Sequence, residues 1–186
     1  MKKQIRVIGI DDASFDKFKD KTVLVLGTIY RGGDFMDGLV SCYVEKDGSE
    51  ATDKLIDMIN STKFKPQLQY ILLDGIAVAG FNVIDVQKLS EKTELPVIVV
   101  VREYPKFDEI ISALKKLKMD KKIKLIEKAG EVHKIGKIYA QLTNINIDEA
   151  EELFKILCTH SFVPEPIRVA HIIGSGLIKG ESHGRA

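Results

Sequence analysis

Residues 70–85, YILLDGIAVAGFNVID, constrain this chain more than any other stretch. The apolar run Tyr70-Ile71-Leu72-Leu73 reads as a buried strand. It stops at Asp74-Gly75. An acid at the carboxyl end of a central strand faces the crevice in which open α/β sheets place their ligands. Gly75 lets the backbone turn or be approached closely. Gly80-Phe81-Asn82 then leads into a helical pattern over 83–92, with Val83, Val86 and Leu89 at helical spacing. The same features also make an ordinary strand-to-helix connection, so the rest of the chain has to decide what Asp74 does.

Upstream, residues 4–10 form a strand running into Asp11-Asp12. Residues 21–30 form a second, Arg31-Gly32-Gly33-Asp34 a turn, and 36–45 a third strand ending at Lys46-Asp47-Gly48. Three consecutive strands with short loops predict an antiparallel meander. Residues 49–61 follow as a helix with Thr52, Leu55, Ile56 and Ile59 on its apolar stripe. Val97–Val101 is five apolar residues in a row, a strand covered on both faces. Residues 107–117 read as a helix with Ile110, Ile111, Leu114 and Leu117 inward. The stretch 121–147, with Gly130 and Gly136, reads as a hairpin or two extra strands. A helix runs from 147 to about 159, Pro164-Glu165-Pro166 is a break, 167–177 is a last helix, and 179–186 a mobile tail. The order β-β-β-α-β-α-β-α predicts one domain over 1–186. Its core is a mixed five-stranded sheet with helices on both faces, the ribonuclease H-like order, followed by extra C-terminal elements.

Composition narrows the function classes. Hydrophobic residues make up 45% and charged residues 30% of 186 positions, ordinary for a globular domain. No apolar run approaches the length of a membrane span. The basic-then-apolar N-terminus is too short for a signal peptide. Cys42 and Cys158 fit neither a disulfide framework nor a zinc site, so reduced thiols in a cytoplasm are expected. A net charge of +1 exerts no global pull on nucleic acid, so any attraction for phosphate is local. One local excess exists: Lys115, Lys116, Lys118, Lys121, Lys122, Lys124 and Lys128 are offset only by Asp120 and Glu127. It fits a phosphate backbone as well as a solvated helix end.

Three segments together carry a resemblance. They are Gly9-Ile10-Asp11 with Ser14-Phe15, Leu73-Asp74-Gly75, and the late run Pro164-Glu165-Pro166-Ile167-Arg168-Val169-Ala170-His171. In this order they resemble endonuclease V. The runs Gly9-Ile10-Asp11-Asp12, Ala79-Gly80-Phe81-Asn82-Val83-Ile84-Asp85 and Gly180-Glu181-Ser182-His183-Gly184-Arg185-Ala186 look closer still to the archaeal endonuclease dU family. One departure stands out: endonuclease V follows its Asp-Gly with a His-Pro pair, where this chain has Ile76-Ala77-Val78-Ala79.

The resemblance implies an endonuclease V-like fold and a Mg²⁺- or Mn²⁺-dependent nuclease acting on DNA with deaminated bases, deoxyuridine in particular. Its alternative is a ribonuclease H-like module that binds nucleic acid or protein without cutting. Phosphodiester cleavage needs charge neutralisation and an activated water, which carboxylate-held metal ions supply. Asp74 and an acid of the first strand converge if their strands are neighbours. Asp11 and Asp12 point to opposite faces, so one of them joins Asp74. The Gly-x-Asp spacing favours Asp11 and the Asp-x-Ser-Phe spacing Asp12. The candidate metal ligands are therefore Asp11, Asp12 and Asp74. The resemblance places a third carboxylate near the first helix, with Glu50 the candidate and Asp47 and Asp53 the alternates. Lys115, Lys116, Lys121, Lys122, Arg168 and His171 are the candidate DNA contacts.

Overall fold

The strand that ends at Asp11-Asp12 is the hydrogen-bonded, parallel neighbour of the strand that ends at Asp74, and the molecule is built outward from that pair. The structure, a computed structural model, describes residues 4–183. Its main sheet contains β1 (Arg6–Asp12), β2 (Thr22–Arg31), β3 (Phe35–Glu45) and β4 (Tyr70–Asp74). A short hairpin of β5 (Ala77–Val78) and β6 (Asn82–Val83) stands apart. Then come β7 (Val97–Val101), β8 (Val132–Ile135) and β9 (Ile138–Thr143). The sheet order is β3-β2-β1-β4-β7-β9-β8. The antiparallel meander of β1, β2 and β3 is present, β4 and β7 continue it in parallel, and the β8–β9 hairpin extends the five-strand core to seven.

Six α-helices among the described residues join these strands: α1 (Ala51–Ser61), α2 (Val86–Thr93), α3 (Phe107–Lys116), α4 (Asp120–Lys128), α5 (Ile147–Leu157) and α6 (Glu165–Lys179). Alternation along the strands sorts the core into two layers. Ile8, Ile10, Ile71, Leu73, Val97 and Val99 pack with Leu55, Ile59 and Leu89 of α1 and α2. Val7, Tyr70, Leu72, Ile98 and Val100 pack with Leu153, Leu157 and Ile167 of α5 and α6. Helix α6 lies directly on β1. A Cβ added at Gly9 would come within 2.6 Å of Pro166 and Ile167 atoms, so only glycine admits the helix this close.

The structure corrects several expectations. The helix placed over 83–92 starts at Val86, because Val83 pairs in β6 and Asp85 caps the helix by accepting the Lys88 N–H at 3.0 Å. The stretch read as extra strands from 121 opens with helix α4, whose Ile123 and Ile126 are buried. Leu117 is exposed, because α3 ends at Lys116. Pro164-Glu165-Pro166 does not interrupt the chain but starts α6, since proline suits a first helical turn. The tail expected over 179–186 begins with the last residue of α6, and Gly180 ends that helix in a left-handed conformation. The His183 N–H then donates to Ser175 Oγ at 3.0 Å, while 184–186 lie outside the described residues. No helix among the described residues is long and apolar enough to cross a membrane.

Candidate functional site

The register of β1 with β4 pairs Ile10 with Leu73, which brings Asp11 beside Asp74 at the sheet's carboxyl end. Alternation decides which acid of the Asp11-Asp12 pair faces α6. Asp11 shares a face with Gly9, and Asp74 shares a face with Leu72, both in the layer that α6 covers. His171, two turns into α6, completes the group. Its Nδ1 lies 3.0 Å from Asp11 Oδ2, and one ligand atom from each of Asp11, Asp74 and His171 falls within 4.8 Å of the others. Asp12 points to the opposite layer, where its Oδ2 accepts the Ala79 N–H and fixes the loop after Asp74.

The electrostatics of the group favour a cation. Burial raises the Asp74 carboxyl above its ordinary range, and the neighbouring Asp11 charge raises it further. Arg102 opposes both, its Nη1 donating to Asp74 Oδ1 and Oδ2 at 3.1 and 3.2 Å. Burial, then Asp11, push Asp12 up to about 6, with a smaller push from Asp74, against the hydrogen bond from Ala79. His171 is raised chiefly by its hydrogen bond to Asp11. Two carboxylates at the edge of the core, one raising the other's proton affinity, with an imidazole alongside, are a donor set that suits a divalent ion. Arg102 gave a faint sequence signal, a base immediately after the apolar run of β7.

Glu50 lies outside this group. Its carboxylate accepts the Glu45 and Ser49 amides and Asn82 Nδ2. Burial alone would raise it, but those hydrogen bonds together hold it below the usual range. Lys122 is next to it in the same network and corrects a sequence expectation. It is only 7% exposed, and its ammonium donates to the carbonyls of Asp47, Gly48 and Phe81 at 2.6–2.7 Å. It is therefore a structural tie and not a phosphate contact. Asp53 is paired with Lys88 on the solvent side, and Asp47 accepts the Phe81 N–H. Lys115, Lys116 and Lys121 are exposed on α3 and α4. Arg168 is held in a bidentate pair with the buried Glu165, at 2.7–3.0 Å.

Beside Asp74, Gly75 opens an apolar cavity of about 250 Å³. Phe81, Val99, Pro105, Phe107 and Ile110 wall it, and Gln141 is the amide among its lining residues. Gln141 Nε2 donates to the Gly130 carbonyl at 2.9 Å.

Comparisons with known proteins fit this geometry. The family model described as endonuclease dU matches residues 3–178. A UPF0215 protein of Methanothermobacter thermautotrophicus is 44% identical over all of this chain and 94% of its own length. A crystal structure of a protein of unknown function from Archaeoglobus fulgidus aligns with a TM-score of 0.87 at 38% identity, covering 97% of this chain and 99% of that one. At the level of fold alone, endonuclease V of Ciona intestinalis, crystallised with a 24mer DNA containing an inosine, aligns with a TM-score of 0.60 at 16% identity. That match covers 95% of this chain and 87% of that one.

Proposed function

The chain belongs to the endonuclease dU family, and on that premise we propose that it is a divalent-metal-dependent endonuclease that nicks DNA at deaminated bases, deoxyuridine above all. The observation that carries this is Asp11 beside Asp74 at the carboxyl ends of two neighbouring parallel strands, with His171 against Asp11. Asp11, Asp74 and His171 would hold the ion. Bound there, Mg²⁺ or Mn²⁺ supplies charge neutralisation at a phosphate and acidifies a coordinated water. The chain's own residues do the rest. Arg102 fixes the Asp74 carboxylate and adds positive charge where a phosphate must approach. His171 Nδ1 lies 3.0 Å from Asp11 Oδ2, and that contact orients the imidazole and the carboxylate toward one another. Asp12 anchors the loop that follows β4 by accepting the Ala79 N–H.

That cavity supports the lesion reading. Its volume of about 250 Å³ and its apolar walls suit one base swung out of a duplex, and an amide is the polar group that could read its edge. A mispaired or deaminated base costs less to unstack, which itself selects for lesions. The exposed lysines Lys115, Lys116 and Lys121 are proposed to contact backbone phosphates.

The test is a nicking assay on duplexes carrying uracil, inosine or no lesion, with and without Mg²⁺. Metal-dependent nicking at uracil is expected, with Asp74→Asn at least about 100-fold slower, the scale of several kcal/mol of transition-state stabilisation. Equal nicking by Asp74→Asn at saturating Mg²⁺ would defeat the proposal. One observation favours a second reading, a domain that binds without cutting: Ile76-Ala77-Val78-Ala79 offers no side-chain base or acid next to the site. DNA binding with no nicking of any duplex would establish that reading.

A further inference from the structure

A line of side chains leads away from Asp74 along the end of the sheet. Arg102, bonded to Asp74, is followed two residues later by Tyr104, which is 59% exposed. The Tyr104 ring meets the edge of Tyr139 at 5.7 Å between centroids. Two residues before Tyr139, Lys137 sits in the turn between β8 and β9. Its Nζ lies 3.9 Å from the centroid of Phe162, itself 59% exposed. Phe162 and Lys137 also border a cavity of about 330 Å³. Each step is a bonded pair, a ring contact or a two-residue stride of ~7 Å.

Single exposed aromatics need no explanation, but a connected row of them beginning at an acid pair does. Stacking faces interleaved with Arg102 and Lys137 are what a single nucleic-acid strand uses, because every base has a π-face and every phosphate a charge. Lys134, paired across from Tyr139, and Lys155, at the far end, add positive charge that offsets Glu103 and Glu151. Resting on the nuclease reading above, we infer that Tyr104, Lys137 and Phe162 form a stacking track. It would hold the single strand adjoining the scissile phosphate, unpaired over several nucleotides at the stacked rise of ~3.4 Å. The track is distinct from the lysines of α3 and α4.

The test measures binding rather than cutting, so it is independent of the nuclease reading. A fluorescein-labelled 12-mer oligothymidylate is titrated with the full chain in metal-free buffer, followed by anisotropy. Tyr104→Ala and Phe162→Ala should each weaken binding about tenfold, the scale of one base–aromatic stack. Tyr104→Trp should bind as the parent does. Asp57→Asn, at an exposed acid of α1 away from the row, should bind as the parent does. Both rings are largely exposed, and circular dichroism confirms that each variant is folded. Unchanged affinity in Tyr104→Ala and Phe162→Ala would overturn the track, whatever the nicking assay shows. So would ultracentrifugation showing a parent dimer that the ring variants dissolve while their oligonucleotide affinity stays intact, because the rings would then be a self-association surface.

Discussion

Two polar clusters sit beside the polypeptide that follows β4, and they are built on opposite principles. Around Lys122, every group is satisfied: the ammonium donates to three carbonyls, and Glu50 accepts from two amides and Asn82. Around Asp11 and Asp74, like charges are brought together: Asp74 is raised by burial and by Asp11, while Glu50 is lowered by its donors. Equal residue types thus serve different ends. A carboxylate surrounded by donors stabilises the fold and stays ionised. A carboxylate pressed against another stores repulsion that a cation relieves. The difference marks Asp11 and Asp74 as the proposed site and Glu50 and Lys122 as its scaffold.

The largest effect that could break this contrast is on stability. Lys122→Met leaves three carbonyls without their donor and should destabilise the fold by about 3–5 kcal/mol, roughly 10 °C in Tm. Thermal unfolding checks it, and a shift under about 2 °C would mean that the scaffold role is misassigned. Next comes Glu50→Gln, which keeps an acceptor and removes the charge. Nicking by the folded protein should fall less than about tenfold, far short of Asp74→Asn. A loss equal to that of Asp74→Asn in single-turnover assays would move Glu50 into the site as its third carboxylate.

Smaller effects sharpen the contrast. Neutralising Lys115, Lys116 and Lys121 should flatten the salt dependence of DNA affinity, by about one unit of slope for each phosphate that is no longer neutralised. Anisotropy titrations at several salt concentrations measure the slope, and an unchanged value places the DNA elsewhere. The mildest prediction concerns Asp12. Its folded-state value of about 6 lies above the ordinary 3.8, so the native protein binds the proton more tightly than the unfolded chain does. The cost of its charge is absent below pH 3.8, grows between 3.8 and about 6, and is full above that. Asp12→Asn should therefore raise Tm in metal-free buffer at pH 7 by about 2–4 °C, about 1 kcal/mol, and leave it unchanged near pH ~3.5. A gain that persists at the acid pH would mean that the effect is not electrostatic.

Local rules made the sheet and the acid pair legible. The runs of β4 and β7 are short and wholly apolar, and the acids mark where the strands leave the core, so the convergence of Asp11 and Asp74 could be anticipated from strand order alone. The face each acid takes could not, because it depends on which layer α6 covers, and that rests on Gly9 admitting Pro166. Helix α4 was obscured because Ile123 and Leu125 alternate with lysines as in a strand, while the decisive spacing is that of Ile123 and Ile126. Lys122 looks in sequence like its exposed neighbours. Only the tertiary approach of residues 47–48 and 81 shows where its ammonium goes. Arg168 and Lys122 share a lesson: a basic side chain near a site is often already committed to a buried partner.

The most direct test of the contrast is whether the acid pair binds a divalent ion. Mn²⁺ binding is followed by electron paramagnetic resonance in the parent, in Asp74→Asn and in Asp57→Asn, an exposed acid on α1 that serves as control. We expect the parent and Asp57→Asn to bind Mn²⁺ alike. Asp74→Asn should lose that binding while folding as the parent does, with equal or higher Tm in metal-free buffer. Undiminished Mn²⁺ binding by Asp74→Asn, or none by the parent, would contradict the assignment of Asp11 and Asp74 as the metal centre.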